Sequence, residues 1–249
     1  MSHKVKSILI LLGIVISVAY LAFSVASFSN RGESKTCKKL DVYIKDSADL
    51  NFISEKKITR ILHRNGINPI GQSLKDINTT AIEKVLSEHP AIKEVECYKT
   101  PSGNLRIDIW QKKPIFRVMS NNGNYYIDDE KNTIPISDDF AAYVPIVTGD
   151  VNKEFAMNEL FDFIVFLRDN KFWNSQIEQI NINKDNEVEL IPRVGDQIIL
   201  LGTLDDYEKK LNKLMILYED GLNNIGWNQY SKINLQYKGQ IICTKNILP

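Results

Sequence analysis

The first feature of the chain is an uninterrupted apolar stretch close to its start. The 21 residues from Ile8 to Phe28 include no Asp, Glu, Lys, Arg, Pro, Asn or Gln. At about 1.5 Å per helical residue, this stretch reaches about 30 Å, which is the thickness of the hydrocarbon core of a bilayer. No second stretch of this kind follows, so the pattern predicts a single transmembrane helix over residues 8–28.

The same stretch allows two other interpretations. A cleaved signal peptide would use the small residues Ser24-Val25-Ala26 as its cleavage site, although signal-peptide cores of about 7–15 residues are shorter. A buried core helix fits less well, because the stretch is apolar on all sides and lies near a terminus. We adopt the spanning anchor, with residues 1–7 as a short tail and residues 29–36 as a polar linker.

Residues 37–113 predict a compact unit with the order strand, helix, helix, strand, strand. Alternating apolar and polar positions predict three strands, over residues 40–45, 92–99 and 105–110. Two amphipathic helices lie between the first and second strands. Ser54 is the expected N-cap of the first helix, and Thr80 with Glu83 forms an expected capping box in the second.

Residues 114–249 predict a second unit that is richer in strands and contains two or more helices. Apolar positions with helical spacing predict helices over residues 155–170 and 207–218. The short strands bounded by turn residues cover 115–120, 125–128, 177–182, 187–191, 197–201, 232–238 and 240–245. The last two form either a pair of strands or one long strand kinked at Gly239. The predicted fold class is therefore α+β, with an N-terminal transmembrane helix.

The balance of charge excludes one class of partner. The chain has 31 basic and 31 acidic residues and a formal net charge of zero. Proteins that bind nucleic acid usually carry a concentrated basic excess, so we predict no nucleic-acid partner. Lysines lie on both sides of the apolar stretch, and the positive-inside rule therefore does not fix its orientation.

The three cysteines, Cys37, Cys97 and Cys243, are odd in number and far apart in the sequence. The chain has no CxxC pair, which excludes zinc ribbons and thioredoxin chemistry. Two interpretations stay open: three buried free thiols, or a bridge between Cys37 and Cys97 if the domain lies outside the cytosol.

The residues that could carry catalysis are few. Histidine occurs only at His3, His63 and His89, and no Ser–His–Asp, HExxH, EF-hand, GxGxxG or Walker pattern occurs. The acidic clusters at Asp128-Asp129-Glu130 and Asp138-Asp139 are expected to be solvated turns, and Asp205-Asp206 is expected to cap a helix. We therefore predict no enzyme, cofactor, metal site or small-molecule substrate. A binding module that uses its sheet edges fits these observations best.

A set of short motifs follows in a fixed order along nearly the full length. His89-Pro90-Ala91-Ile92 through Val95, then Gly103 to Ile109, then Lys112 to Ile115, follow the pattern HPxI…V…GxLxIxIxxKxP, with Gln111 where an acidic residue is common. Further matches are Tyr126-Ile127-Asp128 with Pro135, Leu200-Leu201-Gly202, and Ile233 to Gly239. Together they resemble the FtsQ/DivIB family of bacterial cell-division proteins.

This resemblance implies a non-enzymatic scaffold of the division machinery in the cytoplasmic (inner) membrane. It implies a POTRA domain over residues 37–113 and a β domain over residues 114–249. The implied partners are FtsB-like and FtsL-like proteins, which are small single-pass coiled-coil proteins, and through them the septal peptidoglycan synthases of the FtsW and FtsI type. It also implies that residues 1–7 are cytoplasmic and that residues 29–249 lie in the periplasm or outside the cell.

The resemblance also implies a binding site, because FtsB adds a strand to the edge of the β domain near its C-terminus in this family. Carried over, the edge is formed by Gln236, Tyr237, Lys238 and Gly239, while Ile233 and Leu235 pack on the opposite face. Backbone pairing would supply affinity, and alternate side chains would supply selectivity.

Two alternatives remain at the level of sequence. A POTRA-containing envelope protein for outer-membrane assembly or secretion is one, although such proteins usually carry several POTRA units and this chain predicts one. An anchored envelope hydrolase is the other, and it would need carboxylates or a nucleophile whose substitution abolishes an activity.

Overall fold

A computed structural model describes residues 3–30, 35–47, 50–137 and 140–246 of the chain. Part of the predicted tail and linker, and the acidic pair Asp138-Asp139, lie outside the described residues. The chain divides into two units, one made of Met1–Asp49 with Ile53–Gln111, and one made of Leu50–Phe52 with Lys112–Pro249.

Helix α1 runs from His3 to Asn30. Its side chains are described for residues 12–25, and the large apolar ones are all exposed, from 57% for Leu12 to 71% for Phe23. Within the described part of the chain, no helix has both the length and the apolar character that crossing a membrane requires. Residues 8–11 and 26–28 belong to the predicted span, and their side chains lie outside the description.

The first unit confirms the predicted order of strand, helix, helix, strand, strand. Its elements are β1 Leu40–Ile44, α2 Glu55–Arg64, α3 Thr79–Ser87, β2 Ile92–Lys99 and β3 Leu105–Gln111. The sheet has the order β1-β3-β2, in which β3 is parallel to β1 and antiparallel to β2. The apolar stripes of the helices and of β3 are buried, including Ile58, Leu62, Ile82, Leu86, Ile107 and Ile109.

The caps of the two helices differ in how well the sequence predicts them. The Ser54 side chain accepts a hydrogen bond from the Lys57 amide at 3.3 Å, as expected of an N-cap. The prediction that Thr80 and Glu83 form a capping box in α3 is wrong. Asn78 takes the N-cap position instead, and its Oδ1 accepts a hydrogen bond from the Ala81 amide at 3.0 Å. Glu83 is thereby released for a contact with β2.

The described residues of the second unit form a nine-stranded sheet with helices. Its strands are β4 Pro114–Ser120, β5 Gly123–Asp128, β6 Thr133–Pro135, β7 Ile146–Gly149, β8 Ile177–Ile182, β9 Val188–Pro192, β10 Ile198–Gly202, β11 Tyr230–Asn234 and β12 Ile242–Lys245. Its helices are α4 Lys153–Met157, α5 Glu159–Asp169, α6 Lys171–Gln176, α7 Tyr207–Ile216 and α8 Asn223–Ile225. The sheet order is β12-β11-β10-β9-β8-β7-β4-β5-β6.

The helix predicted over residues 155–170 is interrupted at Asn158, which leaves the helical region with φ −114° and ψ −101°. Its side chain donates to the Glu154 carbonyl at 2.9 Å and so ends α4. Helix α7 continues into a π-helical turn over Leu217–Leu222. The rings of Phe163 on α5 and Tyr207 on α7 meet edge to face at 5.1 Å within the core.

The end of the second unit differs from the prediction. Strand β11 ends at Asn234, four residues before the expected end, and the next strand, β12, pairs with it antiparallel. The interpretation as one long strand kinked at Gly239 is therefore wrong. The cause is local: Asn234 Oδ1 accepts a hydrogen bond from the Gln236 amide at 2.9 Å, and this Asx turn directs the chain out of the sheet.

Candidate partner-binding edge of the second unit

The site residues predicted from the sequence fall into two groups. Ile233 lies in β11 between Ile199 of β10 and Cys243 of β12, and it is fully buried. Leu235 is also buried, and its amide donates to the Leu200 carbonyl at 2.9 Å. Both residues therefore belong to the core that supports the end of the sheet.

The other four predicted residues, Gln236, Tyr237, Lys238 and Gly239, are exposed in the loop between β11 and β12. They lie in no strand, so the prediction that they form the sheet edge is wrong. Tyr237 keeps 49% of its surface exposed. The Asx turn at Asn234 is the physical reason, because it removes these residues from the hydrogen-bonded ladder.

The Gln236 side chain is tied back to the sheet. Its Nε2 donates to Glu187 Oε1 at 3.2 Å, and its Cγ would lie 2.6 Å from a Cβ placed on Gly202. Gly202 also has a positive φ of +76°, which favours glycine. The close approach and the backbone conformation together explain why glycine ends β10.

The edge strand at this end of the nine-stranded sheet is instead β12, and among the described residues its pairing strand is β11. The Asn246 amide, just after β12, donates to the Gln229 carbonyl at 2.8 Å and so points toward the β11 side. Backbone groups alternate in direction along a strand. Ile242 and Thr244 therefore point toward β11, and the backbone N–H and C=O groups of Cys243 and Lys245 point outward from the sheet.

Two cavities are lined by the loop between β11 and β12 and by α7 with its flanking turns. The first, of about 480 Å³, is lined by Ile216 and Leu217 from the helix and by Ile241 from the loop. The second, of about 610 Å³, is lined by the turn before α7, by lysines of α7, and by Leu235 to Gly239. Lys213 and Gly239 line both cavities. The loop that precedes β12 thus lines two cavities, and their other walls carry apolar, basic and acidic side chains, including Asp220 in the first and Asp205 in the second.

The charges at the second cavity come mainly from α7. Lys209 Nζ lies 2.7 Å from Asp206 Oδ1, and this hydrogen bond holds the pKa of Asp206 below its usual value. Lys210 Nζ donates to the Thr203 carbonyl at 2.7 Å, and partial burial lowers the pKa of Lys210. Burial also raises the pKa of the Cys243 thiol on β12.

Sequence reasoning missed β12 as the edge, although it placed a strand over residues 240–245. A signal was present in the composition, because residues 230–246 contain three lysines and no acidic residue. The position of β12 at the end of the sheet depends on the parallel pairing of β10 with β11, which no local pattern reveals.

Outside this edge, the residues that the sequence singled out as possible catalytic or metal-binding groups have structural roles. Among the described residues, no group of three or more His, Cys, Asp or Glu is placed to hold a metal ion. His89 Nδ1 accepts a hydrogen bond from the Ala91 amide at 3.3 Å, and burial lowers the pKa of His89. The expectation of a solvated turn is wrong for Asp128, which is buried: its Oδ1 accepts from the amides of Glu130 and Asn132, and its Oδ2 lies 3.5 Å from Lys112 Nζ. The three cysteines are free thiols.

Comparison with known protein families gives two matches. Residues 113–244 match the family model described as FtsQ/DivIB, C-terminal related. Residues 35–110 match the model of the POTRA-like domain. No curated protein matches the chain. The first match covers the strands of the second unit from β4 to β11 and all but the last residue of β12.

Proposed function

Because the chain belongs to the FtsQ/DivIB family, we propose that it is a non-enzymatic divisome scaffold that binds small bitopic proteins of the FtsB and FtsL type. Family membership gives the chain a division-related scaffold role. The proposal adds the partners and, through them, an influence on septal peptidoglycan synthesis by an FtsW/FtsI-type synthase. It also assigns a POTRA domain to residues 37–113 and a β domain to residues 114–249.

The open edge of β12 is the observation that carries this proposal. The outward backbone groups of Cys243 and Lys245 offer a partner strand the same hydrogen bonds that β11 makes on the other side. We retain the site predicted from the sequence in a modified role. Ile233 and Leu235 hold the hairpin from within the core, while Gln236, Tyr237, Lys238 and Gly239 line the cavity beside α7 and would contact the partner from there.

A membrane anchor at α1 is part of the proposal. The exposed apolar side chains of residues 12–25 would find their apolar environment in lipid. The hydroxyls of Ser17 and Ser24 donate to the carbonyls of Gly13 and Tyr20 at 2.9 and 2.8 Å, so they need no water. A reporter fused after Pro249 should be active only outside the cytosol, and activity only in the cytosol would reject the orientation.

The binding experiment uses the full chain in a nonionic detergent and the soluble segments of the FtsB-like and FtsL-like proteins of the same genome. Two substitutions at one exposed position separate the contribution of the backbone N–H to binding from that of the side chain. Lys245→Ala removes only the side chain, and Lys245→Pro also removes the outward N–H without touching the β11 ladder. We expect Lys245→Ala to weaken binding about threefold and Lys245→Pro more than about 30-fold.

Both variants must unfold at the wild-type temperature for the comparison to hold. Binding that is lost only with Lys245→Pro supports strand addition at β12. Equal binding by both variants rejects β12 as the docking edge. If the wild-type chain captures neither segment, the scaffold proposal fails, and the envelope-assembly and envelope-hydrolase alternatives should be tested next.

A further inference from the structure

We propose that a cleft at the carboxyl ends of β4, β7 and β8 binds a neutral oligosaccharide. The cleft lies within the second unit, and its walls are the turn between β4 and β5, the residues that follow β7, and the turn between β8 and β9. The inference goes beyond the proposed function, because it uses no residue of the edge at β12. It assigns a ligand of a different class, a sugar and not a protein.

The order of the strands creates this cleft. Strand β4 is parallel to β7, and β7 is parallel to β8. The chain leaves β4 toward β5 on one side, whereas it leaves β7 through α4, α5 and α6 toward β8 on the other side. Neighbouring parallel strands whose connections leave in opposite directions form a topological switch point. Open sheets bind ligands in the crevice outside such a point.

Two cavities occupy the switch point. Their volumes are about 710 Å³ and about 400 Å³. Asn122, Asp150 and Lys184 line both cavities, which are therefore parts of one cleft. Both volumes lie in the range of about 300–1,000 Å³ that is usual for small-molecule sites.

Gly149 brings the walls of the cleft together. It ends β7 with a φ of +94°, and a Cβ placed on it would collide with the Ile182 carbonyl oxygen. Because the chain approaches β8 this closely, the Asp150 amide donates to the same carbonyl at 2.8 Å. Across the switch point, Asn122 Nδ2 donates to Asp150 Oδ1 at 3.1 Å. The turn after β4 is thus fixed to the end of β7, with an amide and a carboxylate side by side.

The polar groups of the cleft match hydroxyl groups. A hydroxyl both donates and accepts hydrogen bonds, so its site needs acceptors and donors together. Asp150 supplies a carboxylate, and Asn122 supplies an amide oxygen. Asn121 and Lys184 supply donors, and their side chains form no hydrogen bond or ion pair with the described residues. Met119, which is 41% exposed, offers an apolar surface to the C–H groups of a sugar ring.

The same lining argues against other classes of ligand. Lys184 attracts anions and Asp150 attracts cations, but each lines both cavities, so a charged ligand of either sign would meet a like charge. Within the part of the chain that is described, no group of three or more His, Cys, Asp or Glu could hold a metal ion. A peptide strand would find no open ladder, because β7 is paired on both sides. An uncharged ligand with many hydroxyl groups fits this lining best.

The experiment measures the binding of two uncharged sugars, chitotetraose and cellotetraose, by isothermal titration calorimetry. The full chain is kept in a polyoxyethylene detergent, because a glycoside detergent would itself present sugar to the cleft. Asn122→Ala/Asp150→Ala removes the oriented pair. Asn104→Ala/Asp41→Ala is the matched control, because Asn104 Nδ2 donates to Asp41 Oδ2 at 2.9 Å in the first unit. Inorganic phosphate is the charged probe.

We expect at least one of the two sugars to bind the wild-type chain with a dissociation constant of about 1 mM or lower. The cleft variant should weaken this binding by more than about tenfold, because two hydrogen-bonding groups are lost, and the control by less than about twofold. Asn121→Ala, at an exposed side chain without a partner among the described residues, should weaken it about threefold without any effect on folding. Phosphate should not displace the sugar.

Absence of wild-type binding to both sugars at up to about 10 mM would overturn the proposal. Equal binding by the wild type, the cleft variant and Asn121→Ala would also overturn it. Displacement of the sugar by phosphate that Lys153→Ala/Lys184→Ala prevents would identify an anion site instead. None of these substitutions alters β12, so failure here leaves the comparison of Lys245→Ala with Lys245→Pro, and with it the proposed function, untouched.

Discussion

The carboxylate of Glu83 accepts a hydrogen bond of 2.7 Å from the backbone amide of Cys97. Cys97 lies in β2, an edge strand of the first sheet, so a helix side chain satisfies a donor that would otherwise face an incoming strand. No described side chain does the same for Cys243 or Lys245 on β12. One edge is thus partly closed by the chain itself, and the other is open.

The contact between Glu83 and Cys97 predicts a specific loss of stability. Glu83→Ala should lower the free energy of unfolding by about 1–2 kcal/mol, because it leaves a largely buried amide without its acceptor. Glu83→Gln is the matched control, since its carbonyl oxygen can still accept the bond, and it should lose less. Urea denaturation followed by circular dichroism measures both, and equal losses would show that the bond contributes nothing.

Asp108 predicts a dependence of stability on pH. Its carboxylate is 4% exposed and lies 2.8 Å from Arg106 Nε and 3.0 Å from Lys45 Nζ. Burial opposes its ionisation, but the hydrogen bonds from Arg106 and Lys45 outweigh burial, and the pKa of Asp108 lies below its usual value. The stabilisation is therefore fully present above the unfolded pKa of about 3.9 and is lost as pH falls through the lower folded pKa.

Asp108→Asn should accordingly destabilise the chain by about 1–2 kcal/mol at pH 7 and by less at pH 3, which lies below the unfolded pKa. Asp41→Asn, at a more exposed carboxylate, is the control and should have a smaller effect at pH 7. Denaturation series at the two pH values measure the difference. A penalty for Asp108→Asn that does not change with pH would contradict the electrostatic explanation.

The close approach of Gln236 to Gly202 predicts that the two residues are coupled. Gly202→Ala should cost about 2 kcal/mol, because the new Cβ would meet the Gln236 side chain and because φ is positive there. Gln236→Ala removes the obstructing atoms but not the backbone strain. A double-mutant cycle should therefore give a coupling of about 1 kcal/mol. If the effects of Gly202→Ala and Gln236→Ala simply add, the loop moves away from the new Cβ without an energetic cost.

The thiols predict an order of chemical reactivity. Burial, with a smaller contribution from Glu83, raises the pKa of Cys97 to about 12, so almost none of it is thiolate at pH 8. Cys243 is partly exposed and should be alkylated first by iodoacetamide, whereas Cys37 and Cys97 should require denaturant. Peptide mass spectrometry measures the order. Rapid alkylation of Cys97 in the folded chain would contradict the packing of β2.

Alternation and helical spacing predicted most of the elements, because burial of one face leaves a period in the sequence that can be read. Three asparagines account for three of the errors. Asn78 replaces the predicted capping box, Asn158 divides the predicted helix, and Asn234 ends β11 early. Each acts through a hydrogen bond from or to its side chain, which competes with the regular backbone pattern and leaves no periodic trace.

The sequence predicts the part of the chain that contains the candidate site but not the strand that forms its edge. Ile233 and Leu235 were expected on a buried face, and the alternation of apolar residues was sufficient to place them there. The exposed strand was assigned to Gln236–Gly239 instead of Ile242–Lys245. Which strand lies at the end of a sheet depends on contacts such as Ile199 with Ile233, which are remote in sequence.

The alternating direction of the backbone along β12 has a consequence for hydrogen exchange. In the free chain, the amides of Ile242 and Thr244 should exchange slowly, and those of Cys243 and Lys245 should exchange rapidly. An added strand would protect the fast pair and leave the slow pair almost unchanged. Four consecutive amides can therefore report whether this edge is occupied, in whole cells or in membranes, without knowledge of the partner's sequence.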